Sequence, residues 1–247
     1  MTGAVELVAT LLFAYLVVVV PFRGRSRYER FRREVANDSS ARLRYYRGSM
    51  RWKYGLSLVV VALFFANDQD ASGIRFVHTG ATASVLMVEI TLGVALGAVV
   101  VLWRARRPAS RVRLVRSIRG FADLLPRTVA EQRMWVLVAI TAGVTEELLY
   151  RGFVLWVLAH VFPNADPFTL LCVGGIIFGF AHLYQGTKGV ILTALLGVVL
   201  GQVMIAAGLL AAMAIHTLID LRVLLIRPDL TTQPIDSRSV RPDPTGR

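Results

Sequence analysis

Six ionisable residues lie inside apolar stretches in the second half of the sequence. They are Glu146, Glu147 and Arg151 in one stretch, His182 in the next, and His216 and Asp220 in the last. An ionisable group at the centre of a bilayer costs several kcal/mol unless it faces the interior of a helix bundle or a wet cavity. A carboxylate with two neutral imidazoles suits the activation of water, because the carboxylate takes a proton while the imidazoles position the water, bind a metal or steady an oxyanion. The pattern therefore predicts a shared polar site.

Helical spacing assigns partners to these side chains. Glu147 and Arg151 are four residues apart, so they lie on one face of a helix and can form an ion pair. Glu146 points about 100° away from that pair, which leaves it without a cation on its own helix. His216 and Asp220 also share one face. We expect Glu146 and the histidines of the site to meet in a cavity that opens toward the cytoplasmic side.

The residues form three motifs in a fixed order: Glu146-Glu147-x-x-x-Arg151, Phe178-x-x-x-His182 and His216-x-x-x-Asp220. They resemble the CPBP family of intramembrane proteases, also called the CAAX protease and bacteriocin-processing (Abi) family, which includes the prenyl-protein endopeptidase Rce1. The resemblance covers residues 134–226 and implies a helical membrane endopeptidase. It implies that Glu146 is the catalytic glutamate, supported by Glu147 and Arg151. It further implies that His182 acts with that glutamate on the water, and that His216 with Asp220 stabilises the oxyanion.

Asp220 departs from the pattern of the prenyl-protein processing enzymes, whose last motif ends in asparagine. An ionised aspartate cannot donate a hydrogen bond to an oxyanion, so here it would orient His216 or ligate a metal. In one scheme His182, His216 and Asp220 hold a zinc ion with water in the fourth position, and Glu146 is the general base. In the other scheme Glu146 and His182 activate the water directly and no metal is needed. The residues leave both schemes open.

The composition excludes a soluble enzyme. The chain of 247 residues is 55% hydrophobic and 18% charged, with a mean hydropathy of +0.57, whereas soluble domains carry about 25% charged residues. Its apolar residues gather into runs that are long enough to span a bilayer. We predict an all-α, polytopic membrane bundle of about seven transmembrane helices, at 4–21, 54–66, 84–103, 134–160, 168–184, 189–205 and 208–226.

The placement of the basic residues indicates a membrane topology. Of 28 lysines and arginines, 11 lie in 23–53 and nine in 104–133, and apolar runs flank both stretches. The loops alternate between strongly positive and nearly neutral, which predicts an outside N-terminus and a cytoplasmic C-terminus in a bacterial inner membrane. The expected partners are the lipid bilayer and a protein or peptide substrate, with no nucleic acid. A basic amphipathic helix over 108–130 is expected to lie on the inner leaflet.

The chain divides into three parts: membrane spans with basic cytoplasmic loops at 1–133, the CPBP-like catalytic core at 134–226, and a disordered cytoplasmic tail at 227–247. The expected function is hydrolysis of a peptide bond by water that Glu146 activates, with or without a metal. One alternative is a non-catalytic scaffold or bacteriocin self-immunity protein of the same fold. Another is a transporter that uses the carboxylates and histidines as a proton relay. Glu89, in the predicted third span, either pairs within the bundle or lines the cavity.

Overall fold

The computed structural model describes residues 3–66 and 119–225. These residues form six helices and no strand, so the predicted all-α membrane bundle is confirmed. The predicted third span at 84–103 with Glu89, the first part of the predicted amphipathic helix at 108–118, and the tail at 227–247 lie outside the described residues. The number of seven spans therefore stays a prediction.

The first helix, α1, covers Gly3–Val35 without a break. The chain therefore stays helical through the arginines at 23–33. Its middle contains a π-helical turn at Tyr15–Val19, and the Val20 N–H donates to the Tyr15 carbonyl. Pro21 follows directly and has no N–H to donate, and a widened turn is one of the ways in which a helix accommodates such a residue. After a short turn the second helix, α2, covers Ala41–Ala66, so it begins well before the predicted start at residue 54.

The third helix, α3, begins at a capping box. The Thr128 side chain accepts from the Glu131 N–H, and the Glu131 carboxylate accepts from the Thr128 N–H. The helix is α-helical over Val129–Glu147, π-helical over Leu148–Val154 and α-helical again over Leu155–Val161. Before it, a 3₁₀ segment at Arg119–Leu124 leaves helical geometry at Phe121. The predicted amphipathic helix is therefore wrong for 119–128, because the chain must turn there to reach the extended Thr128.

Three shorter crossings complete the described bundle. They are α4 at Pro167–Phe180, α5 at Gly186–Ala207 and α6 at Leu209–Leu221, with 3₁₀ segments at Leu183–Gln185 and Arg222–Leu225. Asp166 caps α4 by accepting from the Thr169 N–H. Gly208 joins α5 to α6 with φ of 89°, a left-handed conformation that glycine adopts without strain.

The apolar surface of the helices is that of an integral membrane protein. In the described part, Gly3–Val35, Ala41–Ala66 and Leu183–Ala207 are long and apolar enough to cross a bilayer. Large apolar side chains are exposed along them, such as Leu11, Leu58 and Leu195, which are 60%, 68% and 60% exposed. Soluble proteins rarely expose such a continuous apolar surface.

Candidate active site

A cavity of about 510 Å³ lies in the middle of the described bundle. Four of the six predicted site residues line it, namely Glu146, His182, His216 and Asp220. Glu147 and Arg151 are buried beside it and do not line it. Three separate elements bring the four lining residues together: the last turn of the first part of α3, the turn after α4, and α6. His182 therefore follows the end of its helix, whereas the sequence placed it within a span.

Glu146 Oε2 faces both imidazoles of the site. It lies 3.6 Å from His182 Nε2 and 3.9 Å from His216 Nε2. Both distances are longer than a direct hydrogen bond of about 2.7–3.2 Å. The Glu146 side chain is 10% exposed, and its exposed part faces the cavity. The three groups are thus close enough to contact the same small molecule in the cavity.

The second nitrogen of each imidazole fixes the orientation of its ring. His182 Nδ1 lies 2.8 Å from the Phe178 carbonyl oxygen, which can only accept, so this nitrogen is the donor. His216 Nδ1 lies 2.6 Å from Glu147 Oε1 and donates to that carboxylate. In a neutral imidazole with Nδ1 protonated, Nε2 is an acceptor. Both Nε2 atoms therefore present a lone pair to the cavity unless the ring gains a second proton.

The predicted ion pair between Glu147 and Arg151 is present. Arg151 Nη1 donates to Glu147 Oε1 at 3.0 Å, and Nη2 donates to the Gly197 carbonyl at 3.1 Å. The Arg151 guanidinium also lies 4.1 Å from the centre of the Phe178 ring. Because Glu147 Oε1 accepts from Arg151 as well as from the histidine of α6, the ion pair holds that histidine in place.

Asp220 contributes less to the orientation of His216 than the sequence indicated. Its Oδ2 lies 3.9 Å from His216 Nε2, while the Glu147 carboxylate makes the 2.6 Å contact with the other ring nitrogen. The Asp220 backbone carbonyl accepts from Trp135 Nε1 at 3.1 Å, which ties α6 to α3. The spacing of four residues brought His216 and Asp220 to one face, but a carboxylate from another helix makes the closer bond.

Gly143 sets the distance between α3 and α6. A Cβ at this position would lie 2.1 Å from Thr217 Oγ1 and 2.8 Å from the Met213 carbonyl oxygen. Only glycine permits the two helices to approach so closely without a shift. Gly143 is one helical turn before Glu146 and Glu147, and Thr217 directly follows His216, so this crossing positions the contacts between the carboxylates and the imidazole.

Lys53 is a site residue that the sequence analysis missed. Its Nζ lies 2.6 Å from Glu146 Oε1, and its side chain is 22% exposed. The sequence analysis assigned it to the cytoplasmic basic stretch and left Glu146 without a cation. One signal was available, since Lys53 is the single lysine among eleven basic residues in 23–53. Periodicity could not have paired it with Glu146, because the two residues lie on different helices.

The polar residues of the site do not form a metal centre in this geometry. Among residues 3–66 and 119–225, no three or more histidine, cysteine, aspartate or glutamate side chains are arranged to hold a metal ion. The set of His182, His216 and Asp220 therefore does not fit a zinc ion here, and zinc stays a prediction.

The segment that carries the six predicted residues matches a known family. Residues 130–222 match the family model of the Rce1-like type II CAAX prenyl endopeptidases. The match covers 93 of the 247 residues and shows that this segment is similar to the Rce1-like family. No curated protein and no solved structure matches the chain significantly. The matched segment contains all six predicted site residues, whereas Lys53 lies outside it.

Proposed function

We propose that this protein is an intramembrane endopeptidase that hydrolyses a peptide bond with water activated by Glu146. The observation that carries the proposal is the convergence of Glu146 Oε2 with the Nε2 atoms of His182 and His216, at 3.6 and 3.9 Å, in one cavity. These separations suit a water molecule that bridges the carboxylate and the two rings. The Rce1-like match supports the reaction class.

The proposed reaction moves one proton through Glu146. The carboxylate takes a proton from the water as the water oxygen attacks the carbonyl carbon of the peptide. The former carbonyl oxygen becomes an oxyanion. The protonated Glu146 then returns its proton to the amide nitrogen, the C–N bond breaks, and a carboxylic acid and an amine leave.

Two groups are proposed as donors to the oxyanion. The Lys53 ammonium has three N–H bonds and uses one on Glu146 Oε1, so it keeps donors for a second acceptor. His216 becomes a donor at Nε2 when its ring is protonated, and the carboxylates of Glu146, Glu147 and Asp220 all lie within 3.9 Å of that ring. Asp220 is not proposed as a donor, because an ionised carboxylate only accepts hydrogen bonds. A fixed donor near a developing oxyanion is a large term in acyl-transfer catalysis.

The proposed substrate class is a protein or peptide that reaches the cavity from the membrane or its surface. The family description names prenylated CAAX substrates. A non-catalytic scaffold or self-immunity protein of the same fold is the alternative that the experiment has to exclude.

The test is a comparison of cells that carry the wild-type protein or the Glu146→Gln variant. Glutamine keeps the shape of the side chain and removes the base, so we expect loss of cleavage with an unchanged melting temperature in detergent. Membrane proteomics would then find at least one peptide that persists uncut in the variant. Glu29→Gln, at an exposed carboxylate of α1, is the matched control and should cleave normally.

The result is decisive in both directions. If Glu146→Gln cleaves as well as wild type in purified form, the proposed mechanism is wrong. If neither protein cleaves any membrane peptide while both fold, the scaffold alternative replaces it. Metal dependence is read from the same preparations: activity that a chelator abolishes and zinc restores supports the zinc scheme, and activity of metal-free protein removes it.

A further inference from the structure

A second pocket of about 620 Å³ lies between α1 and α2. Four arginines line it: Arg23, Arg27, Arg30 and Arg51, together with Ser26, Gly48 and Trp52. We call this feature the arginine pocket. Arg23, Arg27 and Trp52 also line the central cavity, so the two spaces are neighbours. The sequence analysis used these arginines as determinants of topology.

The four arginines of this pocket have no acidic partner. In residues 3–66 and 119–225, no carboxylate lies within ion-pair distance of any of them, and the same holds for Arg33 and Arg47 outside the pocket. Their contacts are neutral, since the Arg23 guanidinium lies 4.3 Å from the centre of the Trp52 ring and Arg27 donates to the Tyr45 carbonyl at 3.2 Å. By contrast, other arginines of the same two helices are ion-paired, namely Arg25, Arg32, Arg42 and Arg44.

Four guanidinium groups around one space repel one another unless an anion joins them. Guanidinium groups bind the oxygens of a phosphate with two parallel hydrogen bonds, which makes phosphate a fitting anion. Gly48 keeps the space open for this arrangement. A Cβ on it would lie 2.6 Å from Arg27 Nη2, so a larger residue would displace that guanidinium.

The surface beside the pocket indicates what carries the anion. Val18, Val19 and Phe22 lie within the five residues before Arg23 in α1 and are 56%, 42% and 57% exposed. Together with the pocket they form an apolar strip that ends at a cationic space. A phospholipid has this shape, with acyl chains for the strip and a phosphate for the arginines. A soluble anion has no acyl chain that could contact these apolar side chains.

We propose that the arginine pocket binds the phosphate headgroup of an anionic phospholipid, whose acyl chains lie along the exposed apolar side chains of α1. This proposal does not depend on the proposed peptidase activity. It concerns a site on α1 and α2, outside the Rce1-like segment at 130–222.

The test measures lipid binding to the full-length protein in neutral detergent by native mass spectrometry. Dioleoyl-phosphatidylglycerol is the anionic probe, and dioleoyl-phosphatidylcholine is the zwitterionic one. The double variant Arg30→Gln/Arg51→Gln removes two exposed cations from the pocket. The double variant Arg33→Gln/Arg47→Gln is the matched control, because it removes one exposed arginine from each of the same helices outside the pocket.

We expect wild type and control to bind phosphatidylglycerol equally, and the pocket variant to bind it at least about tenfold more weakly. Phosphatidylcholine should bind more weakly than phosphatidylglycerol to wild type. An equal loss in both double variants would overturn the proposal in favour of diffuse charge. Competition by millimolar inorganic phosphate that displaces the lipid completely would show that a free anion, and not a lipid, is the ligand. Melting temperatures confirm that both variants are folded.

Discussion

The two oxygens of Glu146 have different surroundings. Oε1 contacts the Lys53 ammonium, while Oε2 faces the two imidazoles and the cavity. The ammonium at 2.6 Å fixes the rotation of the Glu146 carboxylate. The proposed base is thereby oriented before a substrate arrives. Lys53 therefore positions Glu146, and it is also a proposed hydrogen-bond donor to the oxyanion.

Loss of the Lys53 charge should lower the rate of the chemical step. For Lys53→Gln we expect kcat to fall on the order of 10²-fold with KM little changed, because the lost contact acts on the base and on the transition state. Lys53→Arg keeps a cation and should recover part of the rate. Both are measured by cleavage of a reporter peptide in proteoliposomes.

Lys188→Gln is the control, since Lys188 is the only other lysine of the chain and is exposed. It should leave kcat unchanged. A Lys53→Gln protein with wild-type kcat would show that the ammonium has no part in catalysis. A fall in melting temperature equal for Lys53→Gln and Lys53→Arg, without recovery of rate by arginine, would indicate a packing role.

At the level of residues, the sequence could predict what lies on one helix. The pairing of Glu147 with Arg151 follows from a spacing of four, and the structure contains it. The bond from His216 to Glu147 and the bond from Lys53 to Glu146 join different helices. Periodicity carries no information about such contacts. The family resemblance identified His182 and His216 as site residues, but it did not identify their hydrogen-bond partners.

At the level of elements, the crossing of α3 and α6 decides the geometry of the site. Gly143→Ala places a methyl group against Thr217 Oγ1 and the Met213 carbonyl, so the helices must separate. Overpacking of this kind costs about 1–3 kcal/mol. We expect a lower melting temperature and a loss of cleavage larger than the loss of folded protein, because His216 moves away from Glu147.

Gly55→Ala is the matched control for that substitution. Gly55 lies inside α2, and a Cβ there meets nothing within 4 Å. Alanine is the better helix former by about 1 kcal/mol, so the variant should be as stable as wild type or more stable. If Gly143→Ala keeps wild-type activity and stability, the close crossing does not control the site.

A buried ion pair joins α2 to the start of α3. Arg42 Nη1 donates to Glu131 Oε1 at 2.9 Å, and both side chains are buried. Glu131 precedes the predicted span at 134–160. Burial alone raises the pKa of Glu131, but hydrogen bonds from the Arg127 N–H, the Arg42 guanidinium and the Thr128 N–H together lower it below its ordinary value of 4.5.

The lowered pKa of Glu131 predicts an acid-dependent loss of stability. The folded carboxylate holds its proton less tightly than the unfolded one, so its contribution is fully present above about pH 4.5 and disappears as the pH falls through the lower folded value. Glu131→Gln keeps the capping box but leaves the arginine charge unpaired, which costs about 3–5 kcal/mol in the buried-pair limit.

The measurement is the melting temperature in detergent between pH 7 and pH 3. Glu131→Gln should melt below wild type at pH 7, and the two curves should converge in acid as wild-type Glu131 becomes protonated. Glu29→Gln breaks the exposed pair with Arg25 and should change little at any pH. A constant gap between Glu131→Gln and wild type across the range would contradict the pKa argument.

The helices themselves were more predictable than their ends. Hydropathy located the apolar cores of all six described helices, because burial in lipid needs a long apolar run. It could not find where α1 ends or α2 begins, since helical backbone continues in water beyond the apolar part. The turn at 119–128 was missed because its residues have the spacing of an amphipathic helix. In the structure Phe121 has non-helical backbone angles and Thr128, the N-cap of α3, is extended, so the helix is interrupted there.

At the level of the whole molecule, the orientation in the membrane is a prediction from loop charge. In a Cys172→Ser background, single cysteines at 37, 110 and 240 should react only from the cytoplasmic side, and those at 70 and 164 only from the outside. Cysteine accessibility in intact cells and inverted vesicles measures this. Labelling of position 110 from outside would reverse the orientation and place the central cavity on the opposite side.

The unbroken helix of 33 residues at Gly3–Val35 extends beyond the bilayer core. At 1.5 Å per residue it is about 50 Å long, whereas the hydrocarbon core is about 30 Å thick. Its apolar part, residues 3–22, accounts for about 30 Å of that length, so the arginine-rich part projects about 20 Å past the core. Arg23, the first arginine of the projecting part, lies against the ring of Trp52, and Lys53 follows Trp52 in α2. We therefore expect the ammonium beside Glu146 to lie at the edge of the hydrocarbon core, within reach of water, and not at the bilayer centre.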